Sequence, residues 1–378
     1  MKNTADVVVI GGGIQGLSCA FHLAAKGIKN VSLVELDLLG SGSSGRSAAM
    51  LVHAMWSPQT ILLSRLSAQE YFAFEQIVGE KFDYKPIGHM TVATANAEHA
   101  LREEVAMQQS MDVPIEVLAP EDIKKAVPAL NVEDLVLGAV CWKDGVIDPH
   151  AVMQGYARAA RKLGAEINEM ARATGIVLEK GRVVAVETTE GRIATPLVVN
   201  ATGARAKEVG SWVGLDLPIT NYKRHIFITD EFPAIPQNTP FVMDSEVEWY
   251  FRKEGENVLM GMGREESTSF EPQFEPEFQE KVIERAALRA PILLNAKILR
   301  GWAGLRALTP DDLPVLGYAP GVEGFLNCCG WGGHGVMHAP AGGILTSEVI
   351  VDGKASSLDI TPFRYERFAE KTSKVQDL

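Results

Sequence analysis

Gly11-Gly12-Gly13-Ile14-Gln15-Gly16 places glycines at the spacing G-x-G-x-x-G, and an acid, Glu35, follows about twenty positions later. Such residues bind a ligand rather than make bonds. Gly11 permits a tight turn, Gly13 lets backbone approach a pyrophosphate, and Gly16 lets a helix pack close to a strand. Ile14 and Gln15 open that helix, whose free N–H groups and positive dipole end attract phosphate. Glu35 can accept both hydroxyls of an adenosine ribose, and its charge would repel the 2′-phosphate of NADP.

Spacing means little unless the right elements carry it. Residues 5–10, Ala-Asp-Val-Val-Val-Ile, predict a strand buried on both faces. A helical pattern then runs to Ala25 and stops at Lys26-Gly27, and residues 30–34 predict a second strand that delivers Glu35. Strand, turn, helix, strand and acid stand in the order of a dinucleotide-binding βαβ unit. Gly40-Ser41-Gly42-Ser43-Ser44-Gly45 repeats the spacing but has no strand before it. Its Ser43, Ser44 and nearby Ser47 are small donors beside flexible Gly45, and Arg46 could bring charge near phosphate; a plain polar loop is the alternative.

A second glycine-rich turn lies near the other end. Residues 324–329 predict a strand, Gly330 to Gly335 a turn, and Val336 to Val351 a helix despite Pro340 near its start. A second helix N-terminus is thereby aimed at something that comes close to backbone.

The chain has 378 residues, a length that suggests two or three domains, and 46% are apolar, enough to build a large core and enclose a cofactor. Acidic residues outnumber basic ones 48 to 36, for a formal charge of −12. That balance argues against nucleic acid as a partner. Cys19, Cys141, Cys328 and Cys329 form no CxxC pair and no zinc spacing, so no metal is expected. Cys19 should pack in the first helix and Cys328 and Cys329 in a strand, a usage that suits a reducing compartment. No apolar run approaches the ~18 residues of a membrane span, and the glycines interrupt any signal-like segment. A cytoplasmic protein is expected.

Beyond the first motif, residues 40–49 resemble the second FAD-contacting loop of the D-amino-acid oxidase superfamily. The resemblance is nearest to its glycine oxidase, sarcosine oxidase β-subunit and proline dehydrogenase β-subunit branch. It resumes at residues 197–204, Leu-Val-Val-Asn-Ala-Thr-Gly-Ala, and is strongest at residues 304–311 and 330–336, Gly-Trp-Gly-Gly-His-Gly-Val. It extends to Leu358–Phe363 and to Arg367-Phe368, so essentially the whole chain is covered. It implies an α/β architecture: a Rossmann-like FAD-binding domain of the GR2 flavoprotein type with an inserted α+β substrate domain on an antiparallel sheet. The FAD-binding domain would comprise residues 1–85, 146–218 and 300–378; the substrate domain would comprise 86–145 and 219–299. Local pattern agrees, with strands at 86–94, 136–142, 223–229, 240–244, 247–252 and 257–263, and helices at about 97–110 and from Asp148 to Leu163.

The resemblance also implies site residues. Ala173, Ala201, Thr202, Gly203, Gly330, Gly332, Gly333, His334, Gly335 and Val336 join the first motif and the serine loop around FAD. Arg306 matches the position that grips the substrate carboxylate, which a guanidinium can do bidentately; pairing with Asp311 or Asp312 is the rival. Tyr250 matches a substrate-facing tyrosine, with core packing as the alternative. His334 could contact substrate or cap the turn, and His53 could sit over the flavin. Val52 stands where some sarcosine-oxidising relatives carry arginine. No cysteine near Gly304 and no histidine at Ser47 offers a tether, so FAD is expected to be non-covalent.

The expected activity is oxidation of the C–N bond of a small or secondary amino acid (glycine, proline, sarcosine-like) by hydride transfer to flavin, giving an imine that hydrolyses. Two alternatives stand: an electron-transferring subunit of a heteromeric amino-acid dehydrogenase, or a non-catalytic FAD-binding module. The expected partners are a small amino acid or amine and either a second copy of the chain or other dehydrogenase subunits. A disulfide reductase is disfavoured, since no CxxxxC follows the first helix.

Overall fold

The structure, a computed structural model, describes residues 1–246 and 249–368. Its opening strand, β1 (Val7–Ile10), is buried throughout because both faces of its sheet are covered. It feeds helix α1 (Ile14–Ala25), and β2 (Val31–Val34) returns parallel to it, with Ile10 beside Val34. The sheet has six strands in the order Val315–Tyr318, Phe325–Cys329, Val198–Asn200, β1, β2, Glu166–Asn168. All neighbours run parallel except the edge strand Val315–Tyr318. From β1 the chain moves one way to β2 and later returns on the other side at Val198–Asn200. That reversal opens a crevice beyond the carboxyl ends of the strands, the usual ligand position in such sheets.

Three helices cover one face of this sheet. α1 packs between Pro149–Lys162, which starts where Asp148 caps it, and Ala339–Val351. The last of these begins three residues later than the expected Val336, because the Val336 carbonyl accepts the Tyr71 hydroxyl at 2.5 Å and the chain is still turning. On the other face lies a three-stranded sheet, Ala173–Glu179, Arg182–Thr188 and Gly191–Ala194.

The second large sheet has eight strands in the order Ile298–Leu308, Thr220–Thr229, Asn257–Glu266, Trp249–Glu254, Phe241–Asp244, His89–Thr94, Leu135–Cys141, Glu116–Leu118. It is antiparallel except for one parallel pair, Phe241–Asp244 with His89–Thr94. The expected strand at 247–252 is found as Trp249–Glu254; residues 247 and 248 lie outside the described residues. Strand Ile298–Leu308 crosses the expected boundary at residue 300. Leu308 sits beside Thr220 and Arg300 beside Ile228, so residues 300–308 belong to this sheet. Alternation along Trp249–Glu254 sends Trp249 and Phe251 into the core under helix Pro276–Arg289, and Tyr250 the opposite way, toward the first domain. A small sheet of Met50–Leu51, Gly145–Ile147 and Tyr84–Pro86 joins the domains.

Candidate active site

The crevice is a cavity of ≈ 500 Å³, within the range of about 300–1,000 Å³ usual for cofactor sites. Gly11, at φ +112°, turns the chain from β1 into α1, and a Cβ there would stand 2.5 Å from the Ala201 oxygen. A side chain on Gly16 would overlap the Gly11 carbonyl, so helix and turn pack backbone to backbone. At Gly13 a Cβ would meet only the Ser44 hydroxyl, at 3.3 Å, and would otherwise project into the cavity. Ile14 donates its N–H to Ser44 Oγ at 3.1 Å, which fixes the serine loop over the helix start. Ile14, Gln15, Ser43, Ser44 and Arg46 all line the cavity, as do Ala201, Thr202 and Gly203.

Glu35 lines it too. One carboxylate oxygen accepts the Gly12 N–H at 2.5 Å and the other the Asp37 N–H at 3.0 Å. Burial raises its pKa above the ordinary carboxylate value, and these backbone donors work against the rise. Each oxygen keeps a lone pair for a ribose hydroxyl. Beside Glu35 a smaller cavity of ≈ 60 Å³ is lined by Ala173, Arg172, Arg205 and Trp212. Ser47 contributes a buried hydroxyl that has no hydrogen-bond partner in the protein. Gly45 stands behind the wall, its N–H bonded to the Gly40 carbonyl at 3.0 Å.

At the other end Gly332 and Gly335 line the cavity, and the Gly332 N–H bonds the Ala307 carbonyl at 3.0 Å. This ties the second glycine turn to the strand that carries Arg306. Gln15 donates to the Gly335 carbonyl at 2.8 Å, so the two glycine-rich turns meet. Gly330 and Val336 support the turn from behind. Gly333 makes room for a charged group, since any Cβ there would overlap the Arg306 guanidinium, which lies flat on its backbone. Arg306 itself does not line the cavity, although its neighbours Leu305 and Ala307 do. Asp311, one rival partner for it, is held bidentately by Arg367 at 3.0 and 3.1 Å.

The His334 ring packs at a tilt of 51° against Trp56, ring centroids 4.2 Å apart. Enclosure, then the charges of Arg306, His338 and Arg224, hold its pKa well below the ordinary imidazole value. It is neutral at physiological pH. Tyr250 lies 5.5 Å beneath the Arg224 guanidinium and stacks on Phe241, and its hydroxyl occupies the space that the missing side chain of Gly261 leaves. Arg306, Arg224 and Trp56 thus neighbour His334, and Tyr250 lies beside Arg224; none of these five lines either cavity. His53 does not line the cavity. Its Nδ1 is 2.9 Å from the Asp144 carboxylate, its N–H donates to the same oxygen at 2.7 Å, and its ring stacks on Phe72.

Arg205, Arg224, Trp56, Trp331 and residues 270–273 were not foreseen. Arg205 directly follows the Ala201-Thr202-Gly203 turn, which was a usable signal. Arg224 and Trp56 carry no local signal, because their places are set by pairing across the second sheet and by packing against the last turn.

The groups present fit a flavin dinucleotide: a backbone cradle at Gly13, a ribose-accepting carboxylate, cations at Arg46 and Arg205, and a cavity of ≈ 500 Å³ that Trp331 and Gly335 also line. They hold no cluster suited to a metal ion among the described residues. No helix of the described residues is long and apolar enough to cross a membrane.

Known proteins agree with this geometry. The family model described as DAO, FAD dependent oxidoreductase, matches residues 6–349. Sarcosine oxidase subunit beta of Rhodobacter capsulatus is 28% identical over 361 residues, 93% of this chain and 86% of that one. Mitochondrial sarcosine dehydrogenase of Mus musculus is 29% identical over 97% of this chain, which spans only 42% of that longer protein. The crystal structure of L-proline dehydrogenase from P. horikoshii superimposes with a TM-score of 0.89 at 28% identity, covering 98% of this chain and 99% of the other. A match that runs unbroken from the opening strand into the last helix fixes the assignment: the chain belongs to the DAO family of FAD-dependent oxidoreductases, and FAD is its cofactor.

Proposed function

We propose that the chain oxidises the C–N bond of a small or secondary amino acid, of the glycine, proline or N-methylglycine kind, to an imine that water hydrolyses. FAD, when bound, supplies the two-electron acceptor. Arg306 binds the substrate carboxylate, and Tyr250 donates its phenol to the same group. Neutral His334 can accept a hydrogen bond from the amine, and the positive charges of Arg306 and Arg224 beside it favour the deprotonated amine that oxidation requires. Trp56 and the enclosed Tyr250 keep water from the reacting carbon.

The observation that carries this reading is the Arg306 guanidinium laid on the Gly333 backbone, where the second glycine turn meets the second sheet. The names of two relatives, a sarcosine oxidase subunit and an L-proline dehydrogenase, support the same substrate class. Anaerobic mixing with an amino-acid panel should bleach the oxidised-flavin absorbance with at least one member. Arg306→Ala should lower kcat/KM by roughly 100-fold, the scale of a lost charge-assisted contact, while FAD stays bound. Unchanged kinetics would remove Arg306 from the mechanism.

A second reading places the chain in a heteromeric dehydrogenase, supported by the subunit designation of the Rhodobacter capsulatus relative. Purification from its native host with stoichiometric partner chains would favour it; a single species at the mass of the chain or its homodimer would not. Non-covalent FAD belongs to the same proposal, and acid precipitation should leave the yellow colour in the supernatant.

A further inference from the structure

We propose that residues 269–273 form a strap from the second domain that closes over the cofactor cavity and, through Phe270 on Arg205, slows the release of FAD. The segment leaves strand Asn257–Glu266 and enters helix Pro276–Arg289. Phe270, Glu271, Pro272 and Gln273 line the same cavity as Gly13 and Glu35, although they belong to the opposite domain.

Both ends of the strap are anchored to the second sheet. Upstream, the Ser267 N–H bonds the Asn221 carbonyl at 2.7 Å, and Ser269 Oγ exchanges hydrogen bonds with Glu271, donating to its carbonyl and accepting its N–H, both at 3.1 Å. Downstream, Phe274 fills a slot open only because residue 301 is glycine, and it packs edge-on against Phe227. The Glu275 N–H donates to His225 Nε2 at 3.2 Å, and the Glu275 carboxylate pairs with Lys223. The stretch between these anchors therefore has a fixed path.

Its crest meets the first domain at one ring. The Arg205 guanidinium lies 4.2 Å from the centroid of Phe270, whose side chain is otherwise an exposed apolar group, 39% accessible. Arg205 is itself placed by Glu208 at 2.8 Å, and it lines both the main cavity and the smaller one beside Glu35 and Ala173. The latch thus sits at the end of the cavity that holds the adenosine and its phosphates. A non-covalent dinucleotide is released when both domains let go of it. The strap joins them on the open side of the cavity.

The test is the release of FAD itself, followed as the rise in flavin fluorescence after the holoprotein is diluted far enough that released FAD does not rebind. Phe270→Ala should release FAD about tenfold faster, the factor expected from losing a contact of about 1.4 kcal/mol. Phe270→Trp should restore slow release. Should Phe270→Ala fail to fold, cleavage of the unmutated protein at residues 269–273 gives the same information: FAD should protect the strap. Equal release rates in the unmutated protein and Phe270→Ala, or equal cleavage with and without FAD, would overturn the proposal. A folded unmutated protein that takes up no FAD would overturn it together with the site on which it rests.

Discussion

Arg306 works only where a neighbour has no side chain. The guanidinium rests on Gly333, so Gly333→Ala should push it aside and reproduce much of the Arg306→Ala defect, raising KM about tenfold or more with FAD retained. Steady-state kinetics on the flavin-loaded variant would check this, and an unchanged KM would show that the arginine position is irrelevant. A second residue titrates in a readable way. His338 is buried against Ser64 Oγ at 2.9 Å, and that burial pulls its pKa down to about 3. The unfolded chain takes up that proton near pH 6.5, so the neutral ring stabilises the fold fully above that value and progressively less as pH falls toward 3. Between pH 7 and 5 the loss is about 2 kcal/mol at ~1.4 kcal/mol per pH unit. His338→Gln should flatten the fall in denaturation midpoint over this range.

Elements explain what could and could not be read from the sequence. The opening βαβ unit was legible because its determinants are local: a β-branched run, glycines at fixed offsets, and Glu35 at the end of the next strand. The last glycine turn was legible for the same reason, except that a tyrosine hydroxyl from Pro58–Phe72 takes the Val336 carbonyl and delays the helix, a contact 265 residues apart. That strand Ile298–Leu308 runs across the expected boundary at residue 300 was not legible, because its partner, Thr220–Thr229, lies far back in the chain and residues 304–311 resemble an FAD-domain motif. The serine loop was visible as a motif, but its stitching was invisible. Ser43 donates to the Leu305 carbonyl at 2.6 Å, Trp302 to the Arg46 carbonyl at 3.3 Å, and Arg46 to the Ala303 carbonyl at 3.4 Å. The surroundings of His53 were not legible, since nothing near it announces Asp144, a fully buried acid ninety-one residues on that captures its ring.

In the whole molecule these stitches and one buried arginine are among the contacts that hold the two domains together. Arg252, on the second sheet, gives the Ala48 carbonyl hydrogen bonds of 2.9 and 3.2 Å and the Lys253 carbonyl one of 2.8 Å. Arg252→Met should destabilise the protein by roughly 3 kcal/mol, because the Ala48 carbonyl stays buried without its donors; denaturant unfolding would measure it, and a loss under 1 kcal/mol would deny the arginine that part. Deepest in the molecule, α1 meets the helix Ala339–Val351 at glycines: a side chain at Gly342 would overlap the Gln15 amide, and one at Gly343 would overlap Ser18 and His22. Their strands are separated in the sheet by a single other strand, though their sequences lie more than three hundred residues apart. During synthesis the first helix is made long before its mate. At ~5–20 residues per second, it waits roughly 15–60 s with its glycine-matched face uncovered, and strand Val198–Asn200 waits with one edge open. A nascent chain of this fold is thus obliged to keep an unfinished central sheet from pairing wrongly until the ribosome has delivered almost the whole of it.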